Sequence, residues 1–186
     1  MMNHRKTKML CEAALMLAFA QILSYLRLYH FPQGGSVDLA MLPIVLFAVR
    51  YGVGWGTLVG LVFGLMQYLI GLSTAIDWTS MVCDYLVAYT LLGFGAALAR
   101  KGKKPMVSGT LLGGALRFLA HFAVGAVVWG KYMPDMFLGM TMTSPWLYSF
   151  LYNAPYMVLS TLLVMVVSML LDRYLGKYFR GEDLGQ

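Results

Sequence analysis

Charge is what this sequence has least of. Only 12% of its 186 residues are Asp, Glu, Lys or Arg, about half the share usual in a soluble domain. Apolar residues reach 60% and the mean hydropathy is +0.70. A water-exposed surface cannot be built from so few charges, so an ordinary soluble domain and a disordered chain are both excluded. Cysteine is scarce too. Cys11 and Cys83 lie in apolar segments, and no Cys-x-x-Cys or Cys/His spacing surrounds them, which excludes a disulfide scaffold and a structural zinc site. Both read as small buried hydrophobes. Catalytic signatures are also missing. There is no HExxH, GxSxG or paired-acid constellation, so the chain does not read as an enzyme. There is no phosphate-binding GxxxxGK[ST] loop: Gly102-Lys103 is followed by Lys104, and Ala97 stands where the first glycine belongs.

What is present is apolar length. Six segments read as transmembrane helices, over residues 9–29, 38–50, 53–72, 78–99, 107–129 and 146–171. A tail, 172–186, follows them. The whole of 1–186 reads as a single all-α integral membrane domain. Arg5, Lys6 and Lys8 before an apolar run that contains Ala18-Phe19-Ala20 mimic a cleaved signal peptide. Glu12 inside the run, and apolar character continuing to Leu26, favour a retained first helix. The second segment is short: about 13 residues span only about 20 Å. The Pro32-Gln33-Gly34-Gly35 stretch before it must supply the remaining depth. Non-helical backbone at that depth needs protein or water around it, so it is expected to fold over an internal cavity.

The net charge is +6, and the placement of the charges matters more than the sum. Eleven of the fourteen basic residues (Arg5, Lys6, Lys8, Arg50, Arg100, Lys101, Lys103, Lys104, Arg173, Lys177 and Arg180) fall on the side of the termini. Lys131 and Arg27 fall opposite. The bias places both termini in the cytoplasm. The basic runs therefore read as solvated positive-inside features, with no nucleic-acid partner. Gly52, Gly56, Gly60 and Gly64 form a small-residue seam on the third segment. Ala14 and Ala18 form a shorter one on the first. Either seam serves internal packing; the alanine pair suits equally a docking face for another membrane subunit.

Ionisable groups inside a bilayer are costly and mark function. Asp84, Arg117 and His121 are such groups. In the fifth segment Gly109, Gly113, Arg117, His121, Gly125 and Trp129 recur every four residues, which keeps them near one helix face. That face must point into the bundle. By depth, Asp84, His121, Trp129, Tyr148, Asn153, Phe63 and Gln67 converge in the outer leaflet. They predict an outward-facing cup with apolar walls and few polar contacts. Aromatic walls and one carboxylate favour a small, aromatic, positively charged metabolite. With no phosphate loop, proton relay or inverted repeat, active transport would need a nucleotide-hydrolysing partner.

At this point the sequence resembles the ThiT (YuaJ) family, the thiamine-binding S components of energy-coupling-factor (ECF) transporters of prokaryotic cell membranes. The resemblance is carried by Glu12-x-Ala14-x-x-x-Ala18, Val37-Asp38-Leu39-Ala40-Met41-Leu42-Pro43, Arg50-Tyr51-Gly52 and Gly60-Leu61-Val62-Phe63-Gly64. It continues through Asp84-Tyr85-Leu86-Val87-Ala88, Arg117-Phe118-x-x-His121-Phe122-x-x-Gly125-x-x-x-Trp129-Gly130-x-Tyr132 and Tyr148-Ser149-x-x-x-Asn153. It implies a six-helix S-component bundle without catalysis, a thiamine site near the outer face, no further cofactor, and partnership with a membrane coupling subunit and two ATPases. It implies thiamine contacts at Asp84, Tyr85, Arg117, His121, Trp129, Tyr148 and Asn153, an aromatic wall at Phe63, and coupling-subunit contact at Ala14 and Ala18. Members can carry glutamate at the position of Asp84, and tryptophan where this loop has Gly34-Gly35. The alternatives are an S component for another vitamin, such as riboflavin or a pyridoxine-like compound, and, remotely, a small intramembrane enzyme.

Overall fold

A computed structural model describes residues 4–32, 35–70, 77–99, 104–179 and 182. The chain is mostly helical. Four helices are long and apolar enough to cross a membrane: α1 (His4–Tyr25), α4 (Trp78–Ala99), α5 (Pro105–Val127) and α6 (Pro145–Phe179). Two shorter apolar helices, α2 (Met41–Tyr51) and α3 (Val53–Leu69), lie between α1 and α4. They meet at Gly52, whose φ of +93° turns the chain without a Cβ penalty. Two short antiparallel hairpins occupy one end of the bundle. One pairs β1 (Tyr29–His30) with β2 (Ser36–Val37); the other pairs β3 (Met136–Phe137) with β4 (Met140–Thr141). Of the stretches read above, residues 33 and 34, Arg100, Lys101, Lys103 and Arg180 lie outside the described residues.

Helix limits differ from the hydropathy reading where polar residues continue a helix. α1 starts at His4, because the basic N-terminal residues are good helix formers. It stops at Tyr25, and the next three residues lead into the first hairpin. α6 runs on to Phe179, through most of the stretch read as a tail, with a break in helical geometry at Leu175.

The glycine seam of α3 is used inside the molecule. A Cβ on Gly60 would overlap the Tyr89 carbonyl oxygen, and one on Gly64 would come within 2.5 Å of the Tyr85 carbonyl oxygen. A Cβ on Gly93 of α4 would overlap the Gly56 backbone, while one on Gly56 would overlap Ala48 of α2. Backbone therefore lies directly on backbone between α3 and α4, the close approach that small residues permit. Opposite the seam, Trp55, Leu58 and Leu65 are exposed, as are Leu15, Phe19 and Ile22 on α1. Such apolar outward faces suit lipid rather than water.

At the hairpin-free end, Arg50 is not a solvated interfacial charge. Its side chain is fully buried and pairs with Glu12 at 2.8 Å. It donates to the Tyr178 carbonyl at 2.7 Å and stacks on the Tyr178 ring at 3.6 Å, while the Tyr178 hydroxyl donates to Glu12 at 3.0 Å. α1, α2 and α6 are tied by one charged knot. Nearby, Asp172 accepts the free N–H groups of Met106 and Val107, capping α5 from a neighbouring helix. Nearer the hairpins, Gln67 of α3 donates to Gln21 at 3.0 Å and to Ser24 at 3.1 Å, joining α3 to α1 through buried amides.

Candidate functional site: a cavity at the hairpin end

The hairpin end encloses a cavity of about 680 Å³. Its walls come from the ends of α1, α3, α4, α5 and α6 and from the first hairpin. Such a volume lies in the usual range for small-molecule sites.

Its acidic wall comes from the start of α4. Asp77 caps that helix: its carboxylate accepts the Ser80 backbone N–H at 2.7 Å, and Ser80 Oγ accepts the Asp77 N–H at 3.1 Å. The Ser80 hydrogen bond holds the Asp77 carboxyl below the ordinary aspartate range. The chain then winds as a π-helix over Met81–Val87 before returning to α-helix at Ala88. Such wide turns are rare and recur at functional sites. Asp84 and Tyr85 sit in the middle of it, and both line the cavity. Gly64 seats the Tyr85 carbonyl, so the seam of α3 fixes the depth of this wall.

Asp84 is held on both oxygens. Oδ1 lies 3.0 Å from His121 Nδ1, and Oδ2 accepts the Trp129 indole N–H at 2.9 Å. A carboxylate is only an acceptor, so Nδ1 carries the proton in this pair. Nε2 is buried and has no hydrogen-bond partner among the described residues. The two α5-side groups reach Asp84 from different structures. His121 is on the α-helix; Trp129 lies beyond its last turn, on a 3-10 turn over Trp129–Tyr132. The spacing-of-four stripe therefore ends at Gly125. A Cβ there would overlap the Ser149 hydroxyl and come within 3.0 Å of Asn153 Nδ2, so α5 and α6 are pressed together beside the site.

Tyr148, Tyr152, Asn153 and Tyr156 line the opposite wall from α6. Asn153 donates to the Ser149 carbonyl at 2.9 Å and accepts the Tyr156 hydroxyl at 2.6 Å. It fixes the tyrosine ladder as well as facing the cavity. Phe137 of β3 packs edge-on against Tyr148, with centroids 5.2 Å apart, so the second hairpin backs this wall.

Arg117 lines the floor but does not brace Asp84 or His121. It donates to the Tyr89 hydroxyl at 3.1 Å and stacks on the Tyr89 ring at 4.5 Å. Phe63 is corrected more sharply. It is fully buried, packs edge-on behind Tyr89 at 4.8 Å and does not line the cavity. On α3 it is Gln67, one turn further on, that reaches the cavity. Pro32 and Gly35, from the break before the second segment, line it, and so do residues not singled out from sequence as cavity residues: Ser24, Arg27, His30, Ser36 and Asp38. Their signal was the Pro-Gly break expected to fold over a cavity. Gly35 lies against the Tyr156 ring so closely that a Cβ would overlap it, and Ser160 Oγ donates to the Ser36 carbonyl at 3.2 Å.

Ala14 and Ala18 are both on the exposed face of α1, away from the cavity. Among the described residues no group of three or more His, Cys, Asp or Glu could hold a metal. Chemically the cavity offers one clamped carboxylate, an indole and an imidazole beside it and a tyrosine wall: contacts for a small aromatic cation, with no nucleophile–base pair among them.

Comparison with known proteins agrees. The family described as Thiamine transporter protein (Thia_YuaJ) matches residues 10–180. The thiamine transporter ThiT of Bacillus subtilis is 36% identical over 176 residues, covering 87% of this chain and 88% of that protein. ThiT of Lacticaseibacillus paracasei is 27% identical, covering 98% and 96%. A solved structure of ThiT from Listeria monocytogenes superposes with a TM-score of 0.79 at 21% identity, over 95% of this chain and 99% of that one. At that identity the likeness speaks for the fold. The match over nearly the whole length, together with the Bacillus relative, places this chain in the thiamine transporter (YuaJ) family, a family of transporters and not of enzymes.

Proposed function

We propose that this chain is the substrate-binding membrane subunit, the S component, that captures thiamine from outside for ATP-driven uptake by an ECF transporter. The observation that carries the reading is Asp84, held by His121 and Trp129 on the wall of a partly enclosed cavity. A carboxylate in low dielectric attracts a cation strongly, and thiamine is a cation with two aromatic rings. Asp84 supplies the counter-charge. Trp129 and Tyr85 stack on the rings. His121, Tyr148 and Asn153 orient the polar groups, Arg117 fixes the floor, and Phe63 acts only through Tyr89.

In this account the chain is one membrane domain with six spanning segments, and α2 and α3 cross as shorter elements. Both termini are cytoplasmic and the hairpin end faces outward. The first hairpin closes over the ligand. Ala14 and Ala18, exposed on α1, meet a membrane coupling subunit, and two ATPases drive transport.

Fluorescence titration of the purified protein tests the ligand. Stacking on Trp129 should quench emission when thiamine is added at micromolar concentration, and riboflavin should not. Quenching by riboflavin with no response to thiamine would transfer the site to another vitamin.

A further inference from the structure

The polar joint between α1 and α3 opens onto the cavity. Gln67 of α3 and Ser24 of α1 both line it, and Gln21 of α1 completes the joint without lining it. Ser24 decides which way the Gln67 amide points. Its hydroxyl has one proton, and that proton goes to the Gln21 backbone carbonyl at 2.7 Å. The Gln67 atom 3.1 Å from Ser24 Oγ must therefore be the amide nitrogen, a donor. The same nitrogen donates to Gln21 Oε1 at 3.0 Å. Both amide protons of Gln67 are thus spent on α1, and its Oε1 makes no hydrogen bond among the described residues. The unpartnered side-chain atoms that are fully sealed, among them Thr90 Oγ1 and Arg117 Nε, do not include this oxygen. Gln67 is only 5% exposed, and the open space beside it is the cavity. Oε1 is therefore an acceptor held from behind and turned to the ligand space.

The other carboxyl and amide side-chain oxygens on the cavity wall are engaged. Each Asp84 oxygen accepts a protein hydrogen bond, and so does each oxygen of Asp38, from Ser36 Oγ and the Ala40 N–H. Asn153 Oδ1 accepts the Tyr156 hydroxyl. A buried acceptor without a donor is costly, and a ligand O–H or N–H placed against it recovers the loss.

We infer that Gln67 is a specificity residue of the site, whose Oε1 accepts a hydrogen bond from an O–H or N–H of the ligand. This rests on the reading of the cavity as a thiamine site and adds a second criterion to it. Asp84 and the rings select an aromatic cation, whatever donors it carries. Gln67 selects for the donor. The amide cannot swing round to offer its N–H instead. That would turn its oxygen towards Gln21 Oε1, another acceptor, and towards Ser24 Oγ, whose proton is already spent. A ligand lacking the donor leaves Oε1 unpaired, which is how a site built to bond a hydroxyl or an amine rejects the analogue without it. Thiamine carries such donors in two places, its terminal hydroxyl and the amine on its pyrimidine ring.

The test is the Kd of thiamine and of two analogues, measured by calorimetry on the full chain. One analogue has hydrogen in place of the hydroxyl; the other has a carbonyl oxygen in place of the ring amine. Wild-type protein should prefer thiamine at least roughly tenfold over the analogue that lacks the donor facing Gln67. In Gln67→Met that preference should shrink to about twofold or less, with the preference over the other analogue unchanged, and the analogue that loses its penalty identifies the donor. Gln21→Met cuts the same joint but leaves Oε1 in place, pinned by Ser24. It should lower the unfolding temperature and keep the wild-type preferences. Ratios of Kd are read on the molecules that bind, so partial unfolding does not imitate the effect. Wild-type protein that binds thiamine and both analogues equally overturns the inference without any variant. Preferences unchanged in Gln67→Met, or lost equally in Gln21→Met, overturn it too, and in each of these cases the thiamine reading stands. Folded wild-type protein that binds no thiamine overturns both.

Discussion

Asp84 accepts two hydrogen bonds before any ligand arrives, and this makes Trp129 more than a stacking surface. Its indole N–H is one of the two clamps on the carboxylate. Trp129→Phe keeps an aromatic face but removes a hydrogen bond to a charged acceptor, commonly about 1.5–3 kcal/mol. Thiamine affinity should fall about 10- to 100-fold in a titration followed by calorimetry; an unchanged Kd would mean that only the ring face matters. Legibility at this scale followed chemistry. Asp84, Arg117 and His121 stood out because ionisable groups are rare in apolar helices. Phe63 did not declare its direction: an aromatic residue on an apolar helix gives the same signal whether it faces a cavity or the core. Among the tyrosines of α6 the helix face shared with Asn153 singled out only Tyr148, whereas Tyr152 and Tyr156 line the cavity too and it is Tyr156 that bonds to Asn153. Arg27, His30 and Asp38 were missed because they lie where helix periodicity stops.

Elements position these residues, and the contact of α3 with α4 matters most. Gly60→Ala would drive a methyl into the Tyr89 carbonyl and lever α4 away from α3, next to the π-helical segment that carries Asp84. A loss of about 1–3 kcal/mol, seen as a lower unfolding temperature, and weaker thiamine binding are expected together. Gly54→Ala on the same helix meets nothing within 4 Å, so it should leave binding unchanged and stability equal or slightly higher. Equal effects of the two substitutions would contradict the packing account. The seam itself was legible as small residues at spacing four; which helix it received was not, because any helix fits such a groove. The π-helical turn left no trace in composition; within it the Tyr85 carbonyl sits against Gly64 of α3.

For the whole molecule, the two ends have different jobs. The knot of Glu12, Arg50 and Tyr178 holds three helices at the hairpin-free end. Arg50 is separated from the cavity by the length of α2, about 16 Å. Arg50→Ala leaves Glu12 without its ion-pair partner and should cost about 3–5 kcal/mol in an unfolding titration. The fraction that stays folded should bind thiamine normally; a parallel loss of affinity would show that the knot reaches the cavity. Charge counting put Arg50 on the side of the termini but could not show its ion pair, because it sees a residue's position along the chain and not its partner 38 residues earlier.

The most direct measurement of the central claim is the thiamine Kd of Asp84→Asn beside the wild type, with folding checked for both. The amide removes the negative charge and turns one hydrogen-bond donor towards His121 or Trp129. At least a roughly tenfold loss of affinity is expected, equivalent to about 1.4 kcal/mol or more. Wild-type affinity in a folded Asp84→Asn protein would contradict the account.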